Sequence, residues 1–136
     1  MRGLILQQAL LRFEARTGLL HHDLNHRPDR RFSVIFYIDV PQTGGEIVFP
    51  FFDAAGRPVD SPVTVRCRQL AAAGQLYAEE PELEGYIQQH RAQLLSLRPR
   101  ANAAVGFPAH DPAAWHYACP VEHGERSCFV LFYRKD

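Results

Sequence analysis

The segment 31–39 constrains the fold more than any other part of the chain, because its side chains alternate along its whole length. Large apolar side chains fall on one face of an extended strand, namely Phe32, Val34, Phe36 and Ile38. The other face carries Ser33, Ile35 and Tyr37. A strand that presents side chains to both faces needs a sheet around it. The chain is therefore expected to be built mainly from β-structure.

Shorter segments of the same kind follow along the chain, and turns rich in glycine and proline separate them. Strands are predicted at residues 19–23, 46–51, 63–67, 101–107, around 116 and at 127–133. Apolar residues at helical spacing predict one helix over residues 4–17 and a second over 81–97, which begins at a proline. The pattern favours a mainly β (α+β) sandwich or barrel with helical additions.

The composition is that of one folded domain. The 136 residues are 46% hydrophobic and 22% charged, and the formal net charge is zero. No broad field attracts nucleic acid or an anionic membrane, so neither is expected as a partner. No segment approaches the roughly 20 apolar residues that span a bilayer. The three cysteines are widely separated and form no CxxC pair, which favours thiols in a reducing cytoplasm.

The first residues that suggest chemistry are His21 and Asp23. Residues two apart on a strand point the same way, so the two side chains would face one site together. They are two members of the two-histidine, one-carboxylate set that suits non-haem Fe(II), because that set leaves one side of the metal open. The third ligand must come from elsewhere, and His116 is the best candidate. His110 and Asp111 compete with it, but they lie in a proline-containing loop and are expected near the pocket mouth.

Several motifs succeed one another in a family order. The chain runs His-His-Asp at 21–23, Tyr-Ile-Asp at 37–39, Gly-Gly-Glu-Ile-Val-Phe-Pro at 44–50, and Trp-His-Tyr-Ala-Cys-Pro-Val-Glu-His-Gly-Glu-Arg at 115–126. Together these segments resemble the prolyl 4-hydroxylase-like branch of the 2-oxoglutarate/Fe(II)-dependent dioxygenases. The resemblance covers about residues 19–135, with an expanded middle. It rests on the order of the motifs rather than on any one of them.

The resemblance implies a role for each matching position. His21, Asp23 and His116 would hold the metal. In the family a basic residue ten positions after the distal histidine pairs with the far carboxylate of 2-oxoglutarate, and Arg126 occupies that position. A guanidinium group suits this role because it binds a carboxylate through two hydrogen bonds and stays charged. Tyr37 and Ser33, which share one strand face, would be further contacts of the cosubstrate.

The resemblance also implies the fold. Family members form a double-stranded β-helix, a cupin-like jelly-roll, here expected with an N-terminal helix and a helical insertion over about residues 69–97. One oxygenase domain would span residues 1–136. The one or two strands that usually lie between the first helix and the first metal motif are not evident, because Gly18 leads almost at once into Leu19-Leu20-His21. Two roles stay open for the insertion: a lid over the substrate, or a self-association surface that forms a homodimer.

The implied activity is hydroxylation of an amino-acid, peptidyl or other small-molecule substrate. It would be coupled to decarboxylation of 2-oxoglutarate to succinate and CO2, with Fe(II) and O2 as cofactors and L-ascorbate as a family-level addition. The carboxylate of Asp23 favours hydroxylation, because halogenating relatives typically lack it. Two alternatives are a non-catalytic metal-binding β-barrel, acting as a sensor or interaction module, and a structural domain without metal. His22, which lies between His21 and Asp23 on the predicted strand 19–23, is expected to point away from them and to be exposed.

Overall fold

The computed structural model describes residues 3–14, 19–25 and 27–136, and it consists mainly of antiparallel β-structure. The elements are β1 (Leu4–Glu14), β2 (Leu20–His21), β3 (Arg30–Asp39), β4 (Thr43–Gly44), β5 (Ile47–Asp53), α1 (Pro62–Ala72), β6 (Tyr77–Ala78), α2 (Pro81–His90), β7 (Leu94–Leu97), β8 (Ala104–Phe107), β9 (Tyr117–Ala118), β10 (Val121–His123) and β11 (Arg126–Lys135). This arrangement agrees with the predicted jelly-roll class. No described helix has the length and apolar character needed to cross a membrane.

The larger sheet has the strand order β1-β11-β3-β8, and every neighbouring pair is antiparallel. The long strands β3 and β11 lie at its centre, and their inner faces line the interior of the barrel. The inward side chains of β11 are Arg126, Cys128, Val130 and Phe132. The inward side chains of β3 include Ser33, Ile35 and Tyr37, which the sequence pattern had predicted to share one face. The outer face is apolar and partly exposed, notably at Leu11, Phe36 and Phe129.

The smaller sheet has the order β7-β5-β9. A β-bridge between His21 and His116 joins it to the short pair β2-β6. Two backbone hydrogen bonds make this bridge, from His21 N to His116 O at 3.1 Å and from His116 N to His21 O at 2.9 Å. Segments far apart in the sequence thereby meet side by side. The smaller sheet and the two helices pack around a core that includes Leu20, Val48 and Trp115. Phe49 and Phe107 belong to a second apolar cluster, between the two sheets.

The predicted N-terminal helix is wrong. Residues 4–14 form strand β1, which pairs with β11 in a register from Leu4 opposite Lys135 to Glu14 opposite Arg126. Residues 15–17, the rest of the predicted helix, lie outside the described residues. The backbone of β1 satisfies the open hydrogen-bonding edge of β11, and this long-range pairing outweighs the helical spacing of the leucines. The structure thus has a strand before the first metal motif, where none was evident from the sequence.

The predicted strand at 63–67 is also wrong, because these residues belong to α1. The Ser61 hydroxyl accepts hydrogen bonds from the backbone N–H groups of Val63 at 3.2 Å and Thr64 at 3.3 Å. The Thr64 hydroxyl oxygen in turn accepts from Ser61 N at 2.9 Å. This reciprocal cap, with Pro62 in the first turn, specifies a helix start. The buried positions Val63 and Cys67 are four apart, as a helix requires.

The second helix is shorter than predicted. It begins at Pro81 as expected, but it ends at His90, and residues 94–97 form β7 against β5. The segment 69–97, predicted as a helical insertion, therefore contains the end of α1, then β6, α2 and β7. Its apolar side chains Leu83, Ile87 and Leu94 are buried in the core that also holds Leu20 and Trp115. These side chains pack into the core of the fold.

Candidate active site

The side chains of His21, Asp23 and His116 meet at the junction of β2 and β9. Their ligand atoms all lie within 4.8 Å of one another. Asp23 Oδ1 is 3.2 Å from His21 Nε2 and 3.4 Å from His116 Nε2. The two imidazole rings lie edge to face with centroids 4.3 Å apart. The structure therefore brings together the three residues that the sequence predicted as a metal site.

Both imidazole rings are oriented by the main chain. His21 Nδ1 donates to Leu19 O at 2.6 Å, and His116 Nδ1 donates to Ala114 O at 3.0 Å. A neutral ring that uses Nδ1–H as a donor has a lone pair on Nε2. Both Nε2 atoms face Asp23, so the site presents two nitrogen lone pairs and a carboxylate oxygen. Such outer hydrogen bonds commonly fix the orientation of metal-binding histidines.

Burial and neighbouring charges set the protonation of the three side chains. Burial lowers the pKa of His116 to about 4, and the neighbouring His21 adds to this effect while Asp23 opposes it. Burial alone would raise the pKa of Asp23. Once the histidines are protonated, a hydrogen bond from His21 and the charges of His116 and His21, together with the Ser33 hydroxyl, bring that pKa well below its usual range. Near neutral pH His116 is therefore neutral and Asp23 ionised, which are the states that bind a cation.

The three side chains open into a cavity of about 290 Å³ inside the barrel. Its polar lining includes Arg126 and Tyr37, and its apolar lining includes Ile35, Ile47 and Val130. Arg126 is only 5% exposed and begins strand β11. Tyr37 lies opposite Cys128 in the register of β3 and β11, so its side chain shares the inner face of the sheet. A buried guanidinium and a tyrosine thus line the same cavity as the histidines and the aspartate.

Arg126 is held in place by the Gly44-Gly45 turn. Its Nη1 donates to Gly45 O at 3.0 Å. Gly44 has φ +81°, and a Cβ there would lie 2.6 Å from Glu122 N, so only glycine fits this close approach. The backbone of Gly45 therefore lies directly against the side chain of Arg126.

A family comparison agrees with this geometry. The family model described as the 2OG-Fe(II) oxygenase superfamily matches residues 9–134. The chain belongs to that superfamily. The prolyl 4-hydroxylase-like branch within it stays a prediction.

Among solved structures, the chain is similar to an oxidoreductase of the 2OG-Fe(II) oxygenase family from Burkholderia pseudomallei. The two share 16% sequence identity with a TM-score of 0.57, so this likeness concerns the fold. The match covers 96% of the present chain and 43% of that relative, which is therefore much longer. No curated protein matches the sequence.

The cofactors of a 2OG-Fe(II) oxygenase are Fe(II), 2-oxoglutarate and O2, and the donor set fits this metal. Two imidazole nitrogens and one carboxylate oxygen are the ligands that leave positions open on Fe(II). His21 is one-third exposed, whereas Asp23 and His116 are buried, so the site is walled on one side and open on the other. The outer hydrogen bonds that the two rings donate to Leu19 O and Ala114 O complete the arrangement that such a metal needs.

The structure places His22 and His110 in different environments. His22 is not exposed as expected: it is 2% exposed, its Nε2 donates to Asp111 O at 2.7 Å, and its Nδ1 accepts from Leu24 N at 3.2 Å. Because Asp23 lies in a turn after β2, the chain bends there and His22 turns inward. His110 is exposed, and its Nδ1 donates to Arg31 O at 3.1 Å. It is not among the described residues that line the cavity, and its place near the pocket mouth stays a prediction. The Asp111 carboxylate accepts from Ala113 N at 2.8 Å.

Sequence reasoning missed Arg30. This residue is 8% exposed and lines the same cavity, and its guanidinium lies 3.6 Å from the ring centre of Phe132. Its Nη1 donates to Asp23 O at 3.2 Å and its Nη2 to Gln8 Oε1 at 2.8 Å. Arg30, on β3, thereby connects the turn that contains Asp23 with strand β1. The alternation of the strand would place Arg30 on the outer face with Phe32, and the register shift between Tyr133 and Arg134 turns it inward, so no local sequence signal indicated its position.

Proposed function

We propose that this chain is an Fe(II)/2-oxoglutarate-dependent dioxygenase that hydroxylates an amino-acid, peptidyl or other small-molecule substrate. One observation carries the proposal: a histidine-aspartate-histidine cluster and a buried arginine line the same 290 Å³ cavity. The metal would hold the keto-acid end of the cosubstrate, and the arginine would hold its far carboxylate. Bound Fe(II), with 2-oxoglutarate and O2, supplies the oxidation that yields succinate, CO2 and a hydroxylated C–H position.

The roles of the individual residues follow from their positions. His21, Asp23 and His116 are the proposed metal ligands, through the two Nε2 atoms and Asp23 Oδ1. Arg126 is the proposed partner of the far carboxylate, since a buried guanidinium pairs strongly with a carboxylate. Tyr37 shares the inner face of the sheet with Arg126 and is a second proposed cosubstrate contact.

The cavity walls have a role of their own. Ile35, Ile47, Val130 and Phe107 surround the polar groups with apolar surface. Apolar walls exclude water, so the charge pairing inside the cavity is stronger than it would be in bulk solvent. At about 290 Å³ the cavity lies near the lower end of ligand pockets. It suits a small dicarboxylate, and we propose that the substrate approaches the metal from the open side, next to His21.

The proposal extends to the whole chain. Residues 1–136 would act as a single oxygenase domain of the prolyl 4-hydroxylase-like branch, with L-ascorbate maintaining the reduced metal. The cytoplasm is the proposed location, because all three cysteines are buried thiols. No residue from 69–97 is among the described residues that line the cavity, which disfavours a lid.

We also propose a homodimer that forms through the outer face of the larger sheet. Leu11, Phe129 and Phe36 stand in one row across β1, β11 and β3, and each is more than one-third exposed. At a spacing of about 4.8 Å and a rise of about 3.3 Å per residue, three long strands cover roughly 500 Å². Two copies would bury roughly 1,000 Å², about where specific interfaces begin. Light scattering should show a dimer that Phe129→Lys dissociates, whereas Val65→Lys on exposed α1 surface leaves it intact.

Succinate release tests the proposed activity. Purified protein is incubated with Fe(II), 2-oxoglutarate, O2 and ascorbate, since oxygenases of this kind often decarboxylate the cosubstrate without their substrate. Wild type should release succinate and His116→Ala should not. Arg126→Ala should recover only at high cosubstrate concentration. Arg68→Ala, which changes an exposed arginine on α1, is the matched control and should behave as wild type.

Binding without turnover would contradict the proposed activity. Anaerobic addition of 2-oxoglutarate to the Fe(II) protein should produce a visible charge-transfer band, because a chelated keto acid absorbs through the metal. If this band appears but no succinate forms, even with a panel of amino acids and peptides, the chain is a non-catalytic metal-binding module. If Fe(II) does not bind, the metal assignment itself is wrong.

A further inference from the structure

We propose that Ser33 is a positioning residue for Asp23, which it holds as a one-oxygen metal ligand, and that it is not a contact of 2-oxoglutarate. This inference rests on the proposed function, because it concerns how the metal site is held. It replaces the role that the family resemblance implied for Ser33.

The two oxygens of the Asp23 carboxylate have different neighbours. Oδ1 faces both imidazoles, at 3.2 Å from His21 Nε2 and 3.4 Å from His116 Nε2. Oδ2 accepts a hydrogen bond from Ser33 Oγ at 2.5 Å. One oxygen is therefore directed to the metal position, and the other is occupied by a hydroxyl donor.

The Ser33 hydroxyl has a single proton to donate, and that proton goes to Asp23. Ser33 is completely buried. A bond from a hydroxyl to an ionised carboxylate is among the stronger protein hydrogen bonds. The oxygen of Ser33 can still accept a hydrogen bond, but a carboxylate of 2-oxoglutarate has no proton to offer it. The observed contact thus leaves Ser33 unsuited to binding the cosubstrate carboxylate.

The support behind Ser33 is rigid. Ser33 lies on β3, a central strand of the larger sheet, and it pairs with Phe132 on β11 and Phe107 on β8. Asp23, in contrast, lies in a turn that follows the two-residue strand β2. Arg30 holds the backbone of this turn through Asp23 O at 3.2 Å. The Ser33 bond acts on the carboxylate itself, so it fixes the rotation of that group relative to the larger sheet.

Loss of this bond has a specific consequence. A carboxylate whose second oxygen is released can rotate, so that Oδ1 is no longer directed at the position between the two histidines. This rotation weakens the metal site. Loss of an outer partner of a metal ligand typically lowers metal affinity about 10- to 100-fold.

The test compares Ser33→Thr, which retains a hydroxyl, with Ser33→Ala and with Ser33→Val, which has the shape of threonine without the hydroxyl. The dissociation constant for Mn(II) is measured by calorimetry, and that for 2-oxoglutarate is measured at saturating Mn(II). We expect Ser33→Ala and Ser33→Val to bind Mn(II) about 10- to 100-fold more weakly. Ser33→Thr should stay within about threefold of wild type, and 2-oxoglutarate affinity of the metal-saturated variants should change little.

Two results would overturn the inference. Unchanged Mn(II) affinity in Ser33→Ala would show that the hydroxyl does not position Asp23. Weaker 2-oxoglutarate binding with normal Mn(II) binding would show that Ser33 contacts the cosubstrate rather than positioning Asp23. If circular dichroism shows that Ser33→Ala and Ser33→Val do not fold, Ser33→Cys is measured instead. A thiol is a weaker hydrogen-bond donor than a hydroxyl, so Ser33→Cys should still bind Mn(II) more weakly than wild type. Wild-type Mn(II) affinity in Ser33→Cys would overturn the inference. Failure of wild type to bind Mn(II) would contradict the proposed function instead.

Discussion

The imidazole rings of His21 and His116 are oriented by the same local hydrogen bond to the main chain. In each ring Nδ1 donates to the carbonyl oxygen of the residue two positions earlier, at 2.6 Å for His21 and 3.0 Å for His116. The β-bridge between the two residues places these local turns side by side. The result is a pair of Nε2 lone pairs directed at one carboxylate. Orientation of the rings is thus a property of the backbone, and it is present before any metal binds.

The metal-free protein should lose stability as the pH falls from about 6.5 to about 4. Burial and then the neighbouring His21 lower the pKa of His116 to about 4, whereas an unfolded histidine has a pKa of about 6.5. In this window the unfolded chain binds a proton that the folded chain does not, so the free energy of unfolding decreases. The lowered pKa of Asp23 acts in the same direction below about pH 4.

Urea unfolding of the metal-free protein at several pH values checks this dependence. His116→Gln should show a flatter profile between pH 6.5 and 4 than wild type. His123→Gln, which changes an exposed histidine, is the matched control and should keep the wild-type profile. Parallel profiles for wild type and His116→Gln would contradict the assignment.

Two glycines with the same backbone conformation should respond differently to alanine. Gly44 and Gly56 have φ of +81° and +80°, but a Cβ at Gly44 meets the backbone of Pro120 and Glu122, whereas one at Gly56 meets no atom within 4 Å. Gly56→Ala should lower the free energy of unfolding by about 1–2 kcal/mol, the backbone penalty alone. Gly44→Ala should lower it by a further ~1–3 kcal/mol from crowding. Thermal unfolding measures both, and equal losses would contradict the prediction.

The helix cap at Ser61 should contribute measurably to stability. Ser61→Ala removes the acceptor for two N–H groups of α1 and should lower the free energy of unfolding by about 1 kcal/mol. The adjacent Asp60→Ala breaks only an exposed ion pair with Arg68 and should change stability by less than about 1 kcal/mol. Denaturant unfolding compares the two. A loss in Asp60→Ala as large as that in Ser61→Ala would show that the cap is not the cause.

The thiols of Cys67 and Cys119 should be unreactive in the folded protein. Burial, with the nearby Glu80, raises the pKa of Cys67 to about 12, and burial, with Glu46, raises that of Cys119 to about 11. Because the thiolate is the reactive form, Ellman's reagent at pH 8 should label neither residue until the protein is unfolded. An added cysteine at exposed position 69 (Gln69→Cys) should react at once and serves as the control. Rapid labelling of Cys67 in native protein would contradict this prediction.

Local sequence patterns predicted the elements whose own residues specify them. The alternation of residues 31–39 predicted β3, and Pro81 predicted the start of α2. The strand β1 could not be predicted in this way, because its partner β11 lies at the other end of the chain. The start of α1 did have a local signal, the serine-proline pair with a threonine three residues after the serine, but the valines of this segment suggested a strand instead.

The candidate site divides along similar lines. The meeting of His21, Asp23 and His116 was predicted from the order of motifs, and the structure brings them together; their role as ligands stays a proposal. The partner of Ser33 was not predictable, because it depends on how a turn of one sheet lies against a strand of the other. The burial of His22 was not predictable for the same reason, because it depends on a contact with Asp111 O, far along the chain. Sequence patterns thus identified residue types, while the contacts between sheets required the fold.

The inner face of β11 carries Arg126 at one end and Phe132 near the other, and β11 pairs antiparallel with both neighbours in a register that β-bulges or irregularities interrupt in only a few places. Because side chains alternate with a period of two, a slip of one residue would turn this entire face outward. Arg126 would then point to solvent while His21 and Asp23, which lie on other elements, kept their places. Outside the bulges, no intermediate displacement keeps the hydrogen bonds of the sheet. The distance from Arg126 to the histidine-aspartate cluster can therefore change only by a whole register step or by the gain or loss of a bulge.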